Sequence, residues 1–329
     1  MLHSIAKVTA TLNLDRAANK VVERFSRRFQ ILGYHKVSPE AHPFFPPLRP
    51  EIFEQQMQLL KNCYKVIGLQ ELVARAARGD VPERAVAITF DDGYRDNYDY
   101  AFPILKKYRF PATVFVATGA IGTGDLIWHD RAFDAFRFAT VSRARLEDSV
   151  VPELVLDTDE AREKSLQVAL ARAKRLYGDT RQRFIDDIEQ KLRPSLPGDS
   201  QKRMLNWEQV TEMHAGGIEF GSHTVSHTIL SCISRPDMIR ELRDSKDELS
   251  GRLRTPVVSF AYPNGKNTDF NDEAKSVLRE CGYSCAVTCC SGFNHASSDV
   301  FELKRGLPWQ QEVDVFRFKL FLQRHGLAS

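Results

Sequence analysis

Two neighbouring carboxylates at the end of an apolar run, and two histidines four residues apart far downstream, are the side chains of this sequence best suited to chemistry. The run Ala85-Val86-Ala87-Ile88-Thr89-Phe90 delivers Asp91-Asp92-Gly93, and Ile218-Glu219-Phe220 leads into Gly221-Ser222-His223-Thr224-Val225-Ser226-His227. Two imidazoles and one carboxylate can hold a divalent ion with positions left open, while the second carboxylate stays off the ion and takes a proton from water. That is the equipment of a metal-dependent hydrolase. Neither half is sufficient alone, since Asp-Asp-Gly after a strand is commonly a turn and the chain has nine histidines from which to draw a pair. Their joint placement after β-type runs carries the argument, because an α/β barrel gathers its reactive groups at such strand ends. The same donors fit the facial triad of non-haem iron oxygenases, but an oxygenase has no evident use for a second carboxylate, whereas hydrolysis needs a base.

Short apolar, β-branched runs that could position these groups recur at residues 30–34, 65–67, 86–90, 112–116, 218–220, 257–260 and 284–287. Helix-like segments at 51–62, 96–108, 207–216, 236–253 and 271–281 separate them, which is the pattern of parallel strands buried on both faces. Ser234-Arg235-Pro236-Asp237 reads as a capping box for one helix. The stretch 120–205 breaks the rhythm, being charged and helix-rich, and reads as an insertion. The expected organisation is an α/β fold, a (β/α) barrel of about seven parallel strands over residues 30–310, with a basic amphipathic helix at 1–29 and a C-terminal helix at 311–329.

With 43% hydrophobic and 27% charged residues over 329 positions, the chain suits a globular protein with a sizeable core. A net charge of +3 argues against nucleic acid as a partner. No apolar run approaches a membrane span or a secretory signal, so the expected location is the cytoplasm. Lys7, Arg16, Lys20, Arg24, Arg27 and Arg28, interspersed with apolar residues, would let residues 1–30 touch the inner membrane face peripherally. The preferred reading is a helix packed on the barrel's outside. The six cysteines lack zinc-ribbon spacing and are given no role; their number is compatible with a reducing compartment.

These motifs resemble those of NodB-type polysaccharide deacetylases, carbohydrate esterases with a distorted (β/α) barrel. The resemblance runs through Thr89-Phe90-Asp91-Asp92-Gly93 and His223-Thr224-Val225-Ser226-His227, and in part through Phe260-Ala261-Tyr262-Pro263-Asn264-Gly265. It implies Asp91 as general base and Asp92, His223 and His227 as metal ligands, with zinc the expected ion. It also implies an oxyanion-holding main-chain N–H at Asn264. Family members often have arginine where this chain has Ala261, and that arginine steadies the catalytic carboxylate. Arg305, in Leu303-Lys304-Arg305-Gly306, is the candidate to supply its charge from another strand end. The family's late Leu-x-His proton donor has no clear counterpart, and His35, after the first strand, is expected to line the site. Tyr94, Trp128, Trp207 and Pro263 are the expected substrate contacts, with His129 and Trp309 as further rings that could face a sugar.

The expected reaction is removal of an N-acetyl group from an amino-sugar glycan, or from a lipid-linked or nucleotide-linked precursor of one. Alternatives are a deformylase or other amidohydrolase of the same design, and a non-catalytic glycan-binding protein.

Overall fold

The computed structural model describes residues 28–197 and 203–327, so the helix expected at 1–29 falls outside the described residues except for Arg28 and Phe29. Those two are not helical: Phe29 bridges Asn294, and Arg28 donates to the Arg324 carbonyl at 2.9 Å.

Strands β1 (Gln30–Tyr34), β2 (Lys65–Val66), β3 (Ala85–Phe90) and β4 (Ala112–Val116) precede the insertion. Within it, β5 (Arg143–Arg145) and β6 (Glu153–Val155) form a separate antiparallel pair. Strands β7 (Ile218–Ser222), β8 (Ser259–Ala261) and β9 (Cys285–Val287) follow. The main sheet has seven strands in the order β1-β3-β4-β7-β8-β9, with β2 on β3, and every pairing in it is parallel. All residues of β1, β3 and β4 are buried, as β-branched and apolar strands covered on both faces must be.

The ring closes through a segment too short to read as a strand. Val287 bridges Leu303 and Leu32 bridges Gly306, both in parallel sense. The Thr288 N–H donates to the Leu303 carbonyl at 2.8 Å, and Gly306 and β1 exchange bonds of 2.7 and 2.8 Å. Residues 303–306 thus stitch β9 to β1 and complete a distorted (β/α) barrel.

Helices α1 (Pro50–Cys63), α2 (Leu69–Arg78) and α3 (Phe102–Tyr108) alternate with the first strands. The single helix expected over 96–108 instead begins with a wide turn, Asn97–Ala101, and only then becomes α-helical. In the insertion, α4 (Trp128–Arg137), α5 (Asp159–Ala173) and α6 (Gly178–Leu192) pack with β6 around their own core, in which Phe136, Leu154, Leu166 and Ile188 are buried. Then come α7 (Trp207–Ala215), α8 (Arg235–Leu253), α9 (Asp272–Glu280) and α10 (Val313–His325).

Ser234 does cap α8, but the box is not reciprocal: the Asp237 carboxylate takes the Ser234 hydroxyl at 2.6 Å rather than a backbone N–H. The reciprocal box belongs to α7. There Asn206 Oδ1 accepts from the Gln209 N–H at 2.8 Å and Gln209 Oε1 accepts from the Asn206 N–H at 3.0 Å. Among the described residues, no helix is long and apolar enough to cross a membrane.

Candidate active site

The three motif loops leave strand ends on one rim of the barrel. Asp91 and Asp92 follow β3, His223 follows β7 and Asn264 lies just beyond β8. Asp92, Thr224, His227 and Asn264 adopt left-handed φ values of 75°, 67°, 52° and 61°. Such conformations cost non-glycine residues roughly 1–3 kcal/mol each and persist where surrounding bonds impose them.

Those bonds are visible around the histidine loop. The His223 N–H donates to the Val116 carbonyl at 3.0 Å, and the Thr118 and Gly119 N–H groups donate back to Thr224 and Val225 at 3.2 and 2.9 Å. Glu241 of α8 accepts from the Val225 and Ser226 N–H groups at 2.8 and 3.0 Å and from the Ser226 hydroxyl at 2.7 Å. Arg181 of α6 donates to the Ser226 carbonyl at 2.8 Å, and Trp128 Nε1 donates to the His227 carbonyl at 2.9 Å. A helix of the barrel and two of the insertion therefore fix one loop.

Asp92 Oδ1 lies 3.4 Å from His223 Nε2 and 3.2 Å from His227 Nε2, with all three side chains buried. Neither approach has hydrogen-bond geometry, so Asp92 Oδ1 is buried without a donor. His223 Nδ1 donates to the Ala261 carbonyl at 2.7 Å, which places its proton there and turns the Nε2 lone pair toward Asp92. Oxygen and nitrogen lone pairs facing one another, within 4.8 Å overall, fit a divalent cation. Burial pushes His227 down to about 3.

Asp91 is engaged differently. Arg305 donates to both its oxygens, Nη1 to Oδ1 at 2.7 Å and Nη2 to Oδ2 at 2.6 Å, with both side chains almost wholly buried. Burial pushes the Asp91 carboxyl up, and the Arg305 charge and hydrogen bonds more than reverse this, leaving it below its ordinary value. The guanidinium is itself pinned: Nε donates to the Thr288 carbonyl at 2.7 Å, Nη1 to Thr89 Oγ1 at 3.2 Å and Nη2 to Cys289 Sγ at 3.3 Å. Cys289, given no role on sequence grounds, is thus a contact of the ion pair, and burial raises its thiol to about 11.

His35 Nε2 stands 3.8 Å from Asp91 Oδ2, its ring edge-on to Phe45 and to the exposed Trp309. Burial lowers its basicity more than the two aspartates restore it. Asn264 sits in the tight turn closed by the Gly265 N–H on the Pro263 carbonyl at 2.8 Å. Its own N–H has no acceptor among the described residues.

The expected substrate contacts fare less uniformly. Tyr94 is 2% exposed and spends its hydroxyl on Asp130 Oδ2 at 2.8 Å, so no ring face is open to a sugar. Trp128, 7% exposed, is a strut beneath His227 with Arg181 over its ring. Trp207 packs against the main core with Arg252 4.9 Å from its ring centroid. Pro263 is buried in its turn. All four are large or rigid apolar bodies that the fold uses in packing; Trp309, 55% exposed beside His35, is a ring left open at this rim.

Sequence and fold comparisons agree with this arrangement. The polysaccharide deacetylase family model matches residues 78–286. YxkH of Bacillus subtilis, a protein that carries a polysaccharide deacetylase name, is 24% identical over 280 residues, covering 84% of this chain and 70% of its own. The poly-β-1,6-N-acetyl-D-glucosamine N-deacetylase of Staphylococcus epidermidis is 44% identical over 72 residues, which is 22% of this chain and 25% of that one. In fold, the chain is similar to the Streptococcus pyogenes deacetylase PplD, solved with acetate, at a TM-score of 0.56 and 23% identity over 84% of this chain and 91% of that one. The chain belongs to the polysaccharide deacetylase family.

Proposed function

We propose that this protein is a metal-dependent hydrolase that removes N-acetyl groups from an amino-sugar glycan or glycan precursor. The observation that carries the reading is the division of labour between adjacent carboxylates. Asp92 faces two imidazoles, and Asp91 is kept ionised by Arg305.

A divalent ion, with zinc our expectation, would be held by Asp92, His223 and His227, and when bound would acidify a water and polarise the acetamido carbonyl. Asp91 accepts the proton of that water. Arg305 occupies one lone pair on each Asp91 oxygen and leaves others free, with Oδ2 turned toward His35. The Asn264 N–H donates to the carbonyl oxygen as negative charge builds on it, a role that depends on the main chain and not on the side chain. His35, 3.8 Å from Asp91, would pass the proton on to the departing amine. Trp309 offers an apolar face to a pyranose ring at the same rim.

The substrate named for the S. epidermidis relative supports an N-acetylglucosamine polymer or its precursor as the substrate here. A lipid-linked or nucleotide-linked precursor handled in the cytoplasm, with residues 1–30 touching the membrane face, is part of the proposal; residues 1–27 lie outside the described ones. Cell fractionation tests that location.

Acetate release from N-acetylglucosamine oligomers, set beside release from formylated and small cyclic amides, tests the reaction. Asp91→Asn should retain bound metal and lose turnover, whereas Asp92→Asn should lose both. Turnover that survives complete metal removal would falsify the division of roles.

A further inference from the structure

The insertion reaches the barrel rim with Trp128-His129-Asp130. Trp128 supports His227, and Asp130 binds Lys36 at 2.9 Å. His129 stands between them with no part in the mechanism above, yet its ring lies edge-on to His227 at 4.8 Å between centroids.

The hydrogen bonds around it fix its tautomer. Asp130 Oδ1 accepts from Lys36 Nζ and Oδ2 accepts from the Tyr94 hydroxyl at 2.8 Å. A phenol has one proton, so with that proton committed to Asp130 the Tyr94 oxygen can only accept from its other neighbour. That neighbour is His129 Nε2, at 3.1 Å. The proton of the neutral ring therefore resides on Nε2, and Nδ1 carries the lone pair.

That lone pair is available. The His129 Nδ1 atom has no partner among the described residues and, unlike Nδ1 of His35 and of His227, is not shut away from solvent. The side chain retains 13% of its surface at the rim. A solvent-reachable acceptor held rigidly beside the candidate metal ligands has the properties of a substrate contact, because a tautomer fixed in advance spares the ordering cost at binding.

We infer that His129 is a substrate-anchoring residue whose Nδ1 accepts a hydrogen bond from the bound sugar, either its acetamido N–H or a ring hydroxyl, with Tyr94, Asp130 and Lys36 setting the tautomer. The identity of the donor rests on the deacetylase reading, and the tautomer does not.

Two measurements test this. In ¹⁵N-labelled protein, long-range nitrogen–proton spectra should show His129 Nδ1 unprotonated and Nε2 protonated; in Tyr94→Phe the assignment should relax toward a mixture. A protonated Nδ1 in the parent protein overturns the inference whether or not the protein releases acetate.

For activity, His129→Phe should raise KM for N-acetylglucosamine oligomers about tenfold, the scale of one lost hydrogen bond, with a smaller change in kcat. His129→Asn, which places an acceptor oxygen near the Nδ1 position, should recover most of that loss. Thermal melting of each variant separates this pattern from misfolding, since a packing defect would affect Asn at least as severely as Phe. Parallel assays on O-acetylated sugars identify the donor: a KM effect confined to N-acetyl substrates assigns the acetamido N–H, and an effect on both assigns a ring hydroxyl. An unchanged KM on both overturns the inference.

Discussion

Arg305 and Asp91, 214 positions apart in the chain, meet in a buried two-point ion pair at 2.7 and 2.6 Å. The planar guanidinium matches the carboxylate fork, so one contact fixes both the charge and the orientation of the candidate base. It takes the place of the arginine whose family position is filled here by Ala261, whose carbonyl instead receives the proton of His223.

Arg305→Ala should strand a buried carboxylate and cost about 3–5 kcal/mol of stability. Activity should fall at least a hundredfold. Because the guanidinium lowers the Asp91 pKa, the rising limb of the pH–rate profile should move to higher pH in Arg305→Lys, where charge survives and the fork does not. Thermal melts and kcat/KM against pH check both effects.

Glu241→Gln and Trp128→Phe should each weaken metal binding about tenfold to a hundredfold while leaving the circular dichroism spectrum intact, since both act on the loop that carries His227 and neither is a ligand. Competition against a chelator of known affinity measures this directly.

Asp96 gives a stability test with a definite sign. Burial raises its carboxyl to about 7, against the opposing influence of Lys36 and the Val37 N–H. The folded form thus retains a proton that the unfolded chain releases from about pH 4 upward, so stability declines as pH rises through that window. Asp96→Asn can keep the hydrogen bond from Asn97 Nδ2, now 2.7 Å, and removes the penalty. Its unfolding free energy should match the parent at pH 4 and exceed it at pH 8, by on the order of 1–2 kcal/mol once the water reaching this partly buried residue is allowed for.

Trp309→Ala should raise KM for oligosaccharides several-fold and leave both kcat and thermal stability near the parent values, because the indole is exposed and packs mainly beside His35. Steady-state kinetics on oligomers of increasing length would show the effect.

The strand ends were legible in the sequence because parallel strands announce themselves as apolar runs, and the residues just beyond them share a rim by geometry. Asp91, Asp92, His223, His227 and Arg305 converge for that reason. The closing segment 303–306 was legible only through Arg305, expected at a strand end, since single bridges leave no periodicity. Glu241 and Arg181 were missed because each reads as an ordinary helix-surface charge; only the tertiary fold brings them to the histidine loop. Whether Tyr94, Trp128 and Trp207 serve packing or a sugar was not legible, because an aromatic ring suits a sugar face and a packed interior equally well, and composition cannot distinguish them. The pair β5 and β6 is three residues per strand, too brief for alternation to show.

Arg305 lies in the short piece of chain that seals the last gap of the ring, between β9 and β1. The fastening of the cylinder and the counter-charge of the base are consequently one structural event. A chain whose final seam has parted leaves Asp91 without its counter-charge at the same moment.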